Sequence, residues 1–224
     1  MPGLRYVYAV CRPPGAPLQA QLTGIGGAPP ALLHHHGLVV VVSTVPEGDF
    51  GEEALRARQG DHDWLAATTR AHQGVIDALT TVTTPLPLRP VTVFRDDSGV
   101  RTMVEAREDD FRRVLDRLEG RVEWRVQAHA DRAGSGPDAP ARALHERLSR
   151  HAEDSRLQPP QHAPPAAAPG RPVLDAAYLV RRADSEEFVE LVRRTKAEVP
   201  GLRVHLTGPW AAYSFSGEFS GDET

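Results

Sequence analysis

The run Leu38-Val39-Val40-Val41-Val42, continued by Ser43, Thr44 and Val45, constrains the fold more than any other segment. It is apolar on both faces, as a strand must be when neighbours pair on either side and other elements cover it above and below. The run falls far short of the ~18 consecutive apolar residues of a membrane span. It therefore predicts the middle of a sheet in a globular protein.

The flanking text supplies partners for that strand. Tyr6-Val7-Tyr8-Ala9-Val10-Cys11 is a β-branched and aromatic run stopped by Arg12-Pro13-Pro14-Gly15, since proline cannot donate to a ladder. Pro13 to Pro30 reads as loop, with a short strand around Leu18–Thr23. After Gly60, Asp61 suits an N-cap and Asp63 a first turn. Leu65, Thr68, His72, Val75, Ile76 and Leu79 then fall on one helical stripe, ended by Thr80-Thr81-Val82-Thr83-Thr84-Pro85. Pro87–Phe94 reads as strand and Asp96-Asp97-Ser98-Gly99 as a turn. Phe111, Val114, Leu115 and Leu118 give a second helical face closed by Gly120.

Farther on, Val122, Trp124, Val126 and Ala128 alternate with Glu123, Arg125 and Gln127, a half-buried strand. Ala141–Asp154 carries Leu144, Leu148 and Ala152 at helical spacing, and residues 158–172 are a Pro/Ala-rich linker. Val173–Val180 is a strand. Asp184 with Glu187 makes a capping-box pattern before Phe188, Leu191, Val192 and Val199, and Leu202–Leu206 is the last strand. The class is α+β, in two small domains: 1–96, and 97–224 with the 158–172 linker, the second a sandwich of ferredoxin-like type.

Most chemistry is excluded by scarcity. Cys11 is the only cysteine, which permits no intrachain disulfide and no Cys-based zinc site. Lys196 is the only lysine and lacks the glycines of a Walker-A loop. With 26 basic against 30 acidic residues the net charge is −4, which argues against nucleic acid as a partner. No stretch suits a membrane or a signal peptide, so the expected location is cytoplasmic.

The most metal-like feature is His34-His35-His36. Adjacent side chains alternate on an extended chain, so at most His34 and His36 could share an ion. No Asp, Glu or Cys lies within several residues to complete a set, so a polar loop is expected and no metal ligand is assigned. Asp61-His62-Asp63 is explained by capping, and His72 by a place in the core. There is no G-x-S-x-G elbow, and Gly24-Ile25-Gly26-Gly27 is no dinucleotide fingerprint. No catalytic residues and no cofactor are predicted; the expectation is a protein that is not an enzyme.

The C-terminal Gly-Pro-Trp-x-x-Tyr-x-Phe segment differs, placing Trp210, Tyr213 and Phe215 close together in a chain only 6% aromatic. Such a segment can cross the end of a sheet, burying Trp210 and Phe215 while Tyr213 keeps its hydroxyl wet, or it can offer an aromatic surface to a partner.

Several blocks, in order, resemble the gas vesicle GvpL/GvpF family of accessory proteins. Tyr6-Val7-Tyr8-Ala9-Val10 looks like its opening strand, and Leu86-Pro87-Leu88-Arg89-Pro90-Val91-Thr92-Val93-Phe94 is similar to its "LPLRFGTVF" signature. Leu118–Val126 resembles its "L.GrvEW.vk" turn, Ala176–Val180 its "AYLV" strand, and Leu206–Phe215 its "GPWPPYSF" terminus. Pro90-Val91 and Ala211-Ala212 depart from the pattern, and the region between Ala128 and Val173 is short.

The resemblance implies two α+β domains, the second a modified ferredoxin-like fold, and a non-enzymatic role in building gas vesicles. It implies contact with the hydrophobic shell protein, with other accessory proteins and with further copies of the chain, and an early role in assembly. Partner contact is expected at Trp210, Tyr213 and Phe215, with Glu123 and Arg125 as a polar rim. The alternatives are a metal-dependent enzyme using His34 and His36, and a ferredoxin-like small-molecule sensor.

Overall fold

Tyr6 to Cys11 and Leu38 to Val41 are sealed from solvent along their whole length, so the two apolar runs of the sequence form one sheet's interior. The structure, a computed structural model, describes residues 3–18, 22–130, 138–158, 171–198 and 201–217. It divides into two units: Met1–Glu119 with Ser216 and Gly217, and Gly120–Phe215. The division expected at 96/97 thus falls inside the first unit.

In the first unit, β1 (Leu4–Cys11), β2 (Ala31–His35) and β3 (Leu38–Val45) are followed by short helices α1 (Glu47–Phe50) and α2 (Glu52–Ala57) and by the long α3 (His62–Thr80). Then come β4 (Leu86–Pro87), β5 (Val93–Phe94), α4 (Asp97–Ala106) and α5 (Glu108–Leu118). The strand order is β2-β3-β1-β4, with β5 also on β1. The apolar run therefore sits between two antiparallel partners, as predicted.

Asp61 caps α3 by accepting from Trp64 N at 3.0 Å. The helix buries Thr68, His72, Val75, Ile76 and Leu79. Leu65, expected on that stripe, is instead 47% exposed, because burial begins one turn later. Tyr6 and Tyr8 lie against His72, with ring centroids 5.7 and 5.4 Å away. Tyr6 Oη accepts from Val91 N and lies 3.0 Å from His72 Nδ1. Burial pushes His72 down to about 4, opposed in part by the Leu88 backbone.

Three further expectations are corrected here. Asp96-Asp97-Ser98-Gly99 is the start of α4: Asp96 accepts from Gly99 N at 2.9 Å as an N-cap, a local bond that a turn and a helix start share. The strand expected over Pro87–Phe94 pairs only at its two ends, since Pro87 and Pro90 cannot donate and Val91 sits at φ 67°. Residues 97–119, expected in a second domain, belong to the first unit because α4 packs against β2 and β5 and α5 against β4.

The second unit runs β6 (Arg121–Ala130), α6 (Asp138–Ser149), β7 (Asp154–Leu157), β8 (Arg171–Arg181), α7 (Ser185–Glu198) and β9 (Leu202–Trp210). The strand order is β7-β8-β6-β9, each neighbouring pair antiparallel. β6 and β7 are parallel to each other with β8 between them. One face, with Trp124, Val126, Ala176 and Tyr178, packs on Leu144 and Leu148 of α6 and Phe188, Leu191 and Val192 of α7. β7 was not anticipated; α6 ends at Ser149 instead of Asp154 and the chain turns straight into a strand. β9 continues past Leu206 to Trp210.

Most of the expected linker, Val199 and the middle of the expected Leu18–Thr23 strand lie outside the described residues; Arg171 and Pro172, at the linker's end, are part of β8. Among the described residues no helix is long and apolar enough to cross a membrane.

Candidate functional site

The residues expected to meet a partner lie at the end of β9 and on β6, and Glu123 and Arg125 occupy the face of the second sheet opposite α6 and α7. Strand alternation puts Glu123, Arg125 and Gln127 of β6 there, with Asp175 of β8 and Arg156 of β7. After Trp210 the chain makes a 3-10 turn over Tyr213–Phe215, and Glu123 secures it. The Glu123 carboxylate accepts from Ser214 N and from Ser214 Oγ, both at 2.8 Å. Gln158 Nε2 donates to Ser214 Oγ at 3.0 Å, and the Arg156 guanidinium lies 5.5 Å from the Phe215 ring centroid.

This geometry revises the expected roles. Phe215 is 1% exposed and Glu123 6%, so one anchors the turn and the other holds it. Neither offers a free surface. Burial pushes the Glu123 carboxyl up, opposed by the Ser214 hydrogen bonds and by Arg125 and Arg156. Arg125 is half-buried and committed to Asp175 through a bidentate pair at 2.7 and 2.6 Å, which Gln127 extends at 2.9 Å. That hydrogen bonding raises the already high pKa of Arg125.

Tyr213 is half-buried with its hydroxyl oxygen shielded from water, the reverse of the wet hydroxyl expected. Trp210, expected to bury if the segment crossed the sheet, is 37% exposed. It stands opposite Glu123 in the ladder, on the outer edge strand. Of the three aromatics, only Trp210 presents a large apolar surface.

Gly208 makes the approach possible. At φ +129° its backbone passes so close to β6 that a Cβ would stand 2.8 Å from the Glu123 carbonyl oxygen. The register of β6 and β9 shifts at this point, between Glu123 and Arg125.

The histidine triplet is arranged differently from the reading of its sequence. His34 and His35 are the last residues of β2, and His36-Gly37, both at positive φ, form the two-residue turn into β3. His34 is exposed on one face and His35 faces the other way. The turn breaks the alternation, so it is His35 and His36 whose rings stack, 4.1 Å between centroids. Glu108, remote in sequence, completes the group: its Oε2 lies 2.9 Å from His36 Nδ1. His36 and Arg112 hold the Glu108 carboxyl below the usual range. No local spacing in the sequence could signal this cluster, because the acidic member arrives from α5.

A cleft of about 280 Å³ lies beside the start of β7, lined by Arg150, His151, Glu153, Arg181, Asp184 and Phe188 among others. Arg181 is paired there with Asp184 at 2.7 Å and Glu153 at 3.6 Å, so its charges already answer one another.

A model of the family described as gas vesicle synthesis protein GvpL/GvpF matches residues 4–139 and 136–217. Gas vesicle protein L of Streptomyces sp. strain CB03234 is 49% identical, covering 96% of this chain and 93% of that one. Gas vesicle protein F of the same strain is 26% identical, covering 94% and 98%. The crystal structure of gas vesicle protein GvpF from Microcystis aeruginosa superposes with a TM-score of 0.73 at 17% identity, covering 96% and 99% of the two chains. That of GvpF from Anabaena sp. PCC7120 gives 0.72 at 16%, covering 96% of each. At those identities the solved structures share the fold.

Proposed function

The chain belongs to the gas vesicle synthesis protein GvpL/GvpF family, and from that premise we propose that it is an accessory protein of vesicle assembly that binds the hydrophobic shell protein. In this role it initiates or chaperones vesicle formation from the cytoplasmic side, alongside other accessory proteins and further copies of itself. It works by contact, without a catalytic step. The order β-α-β-β-α-β with strand order β7-β8-β6-β9 supports reading the second unit as a modified ferredoxin-like domain.

The observation that carries the docking site is Trp210. A large aromatic, 37% exposed at the end of an edge strand, sits beside a turn that Glu123 fixes in place. A shell protein that buries its apolar face only in the finished wall exposes that face while free. An edge strand offers it backbone partners, and a rigid indole offers apolar contact at low entropic cost. Phe215 and Glu123 serve this surface from beneath, as supports of the turn.

Co-purification tests the reading. The full chain carrying an affinity tag, co-expressed with the shell protein, is expected to retain it. Trp210→Ala should cut the retained amount several-fold with the fold intact, and Trp210→Phe should restore part of it. Equal retention by wild type and Trp210→Ala would remove Trp210 from the site.

A further inference from the structure

We propose that His35, His36 and Glu108 form a binding site for a divalent first-row transition ion such as Zn²⁺, clipping the β2–β3 turn to the start of α5. The proposal stands apart from the assembly role and concerns the first unit alone.

Each of the three residues offers a donor atom, and these atoms all lie within 4.8 Å of one another. Ligands of a tetrahedral zinc ion with bonds of about 2.0–2.1 Å are roughly 3.4 Å apart, so small rotations of the side chains close the set. His36 Nδ1 and Glu108 Oε2 are hydrogen-bonded at 2.9 Å, so an ion would replace the shared proton with the two atoms moving apart by about 0.5 Å. His35 adds a second, independent sign. Its side chain is only 9% exposed, and its buried Nε2 has no hydrogen-bond partner. A buried imidazole nitrogen left without a hydrogen bond costs free energy that a bound ion would recover.

The surroundings fit a ligand set. Arg112 donates to Glu108 Oε1 from Nε at 3.0 Å and Nη2 at 2.7 Å, leaving Oε2 to face His36. The same guanidinium donates to the His36 carbonyl oxygen, so one side chain orients two candidate ligands. Glu105 lies 3.4 Å from His35 Nε2 and offers a further oxygen at the end of α4. Two imidazoles with a carboxylate suit zinc, nickel, cobalt or copper and not the all-oxygen cations magnesium and calcium.

Calorimetric titration of the chelator-treated full chain with Zn²⁺ is expected to show one saturable site at micromolar concentration, with a rise in melting temperature. Mg²⁺ at the same concentration should do neither. His36→Gln at an exposed side chain and Glu108→Gln at a half-buried one, with folding checked by far-UV circular dichroism, should each weaken Zn²⁺ binding by about tenfold or more. His34→Gln, on the opposite face of β2, should leave it unchanged. Absence of saturable binding, or equal binding by wild type and the His36→Gln/Glu108→Gln double variant, would overturn the proposal. So would an equal loss on His34→Gln.

Discussion

At Gly208 a methyl group would meet the Glu123 carbonyl oxygen at 2.8 Å and the Trp124 ring at 3.0 Å, and the φ of +129° is one that L side chains rarely adopt. Gly208→Ala is therefore expected to lower stability by at least about 1–3 kcal/mol, read from chemical denaturation of the full chain. Glu123 poses the opposite case, a charge the fold holds at a cost. Its folded pKa is raised, so what this group contributes to stability is greatest at low pH and is lost as pH rises through the folded value. Glu123→Gln keeps a neutral acceptor and should hold the turn while flattening that dependence. Glu123→Ala removes the acceptor of Ser214 N and Oγ and should cost about 1–3 kcal/mol. His72 has the other sign. With its folded pKa lowered from 6.5 to about 4, its contribution is complete above that window and falls as pH drops through it. The fall amounts to about 3 kcal/mol at most, and His72→Gln should remove it from a plot of stability against pH.

Among the elements, α4 depends on one side chain for its start. Asp96→Ala removes the acceptor of Gly99 N and should cost about 1 kcal/mol, measured by thermal melting of the variant beside wild type. The same helix shows where the sequence was legible and where it was not. β1, β3, α3, α5, β6 and α7 were readable, because apolar spacing and caps are local signals and these elements obey them. The start of α4 was misread since an Asp–Gly cap looks like a turn. β2 was missed because its triplet of histidines hides an edge strand, and β7 because Asp154–Leu157 is too short to show a period. The candidate site was legible only as a region. The aromatic cluster drew attention to this turn, but which ring faces solvent depends on Glu123 of β6, Arg156 of β7 and Gln158 just after it. The His35–His36–Glu108 group rests on a turn that reverses one side chain and on a helix distant in sequence, and neither leaves a trace in local spacing.

For the whole molecule, the proposed role is one of contact, and its charged contacts must come almost entirely from arginine and carboxylate, since Lys196 is the only lysine. Gas vesicle family membership supplies the context, and on the proposed reading the exposed indole at the end of β9 is where that contact is made. If the chain shields the apolar face of the shell protein before it enters the wall, the shell protein's solubility must depend on the chain and on Trp210. The direct measurement is sedimentation of the shell protein after co-expression. The account predicts that it stays in the supernatant with wild type and moves largely to the pellet with Trp210→Ala, at equal amounts of folded partner. A shell protein that pellets equally with and without the wild-type chain would contradict it.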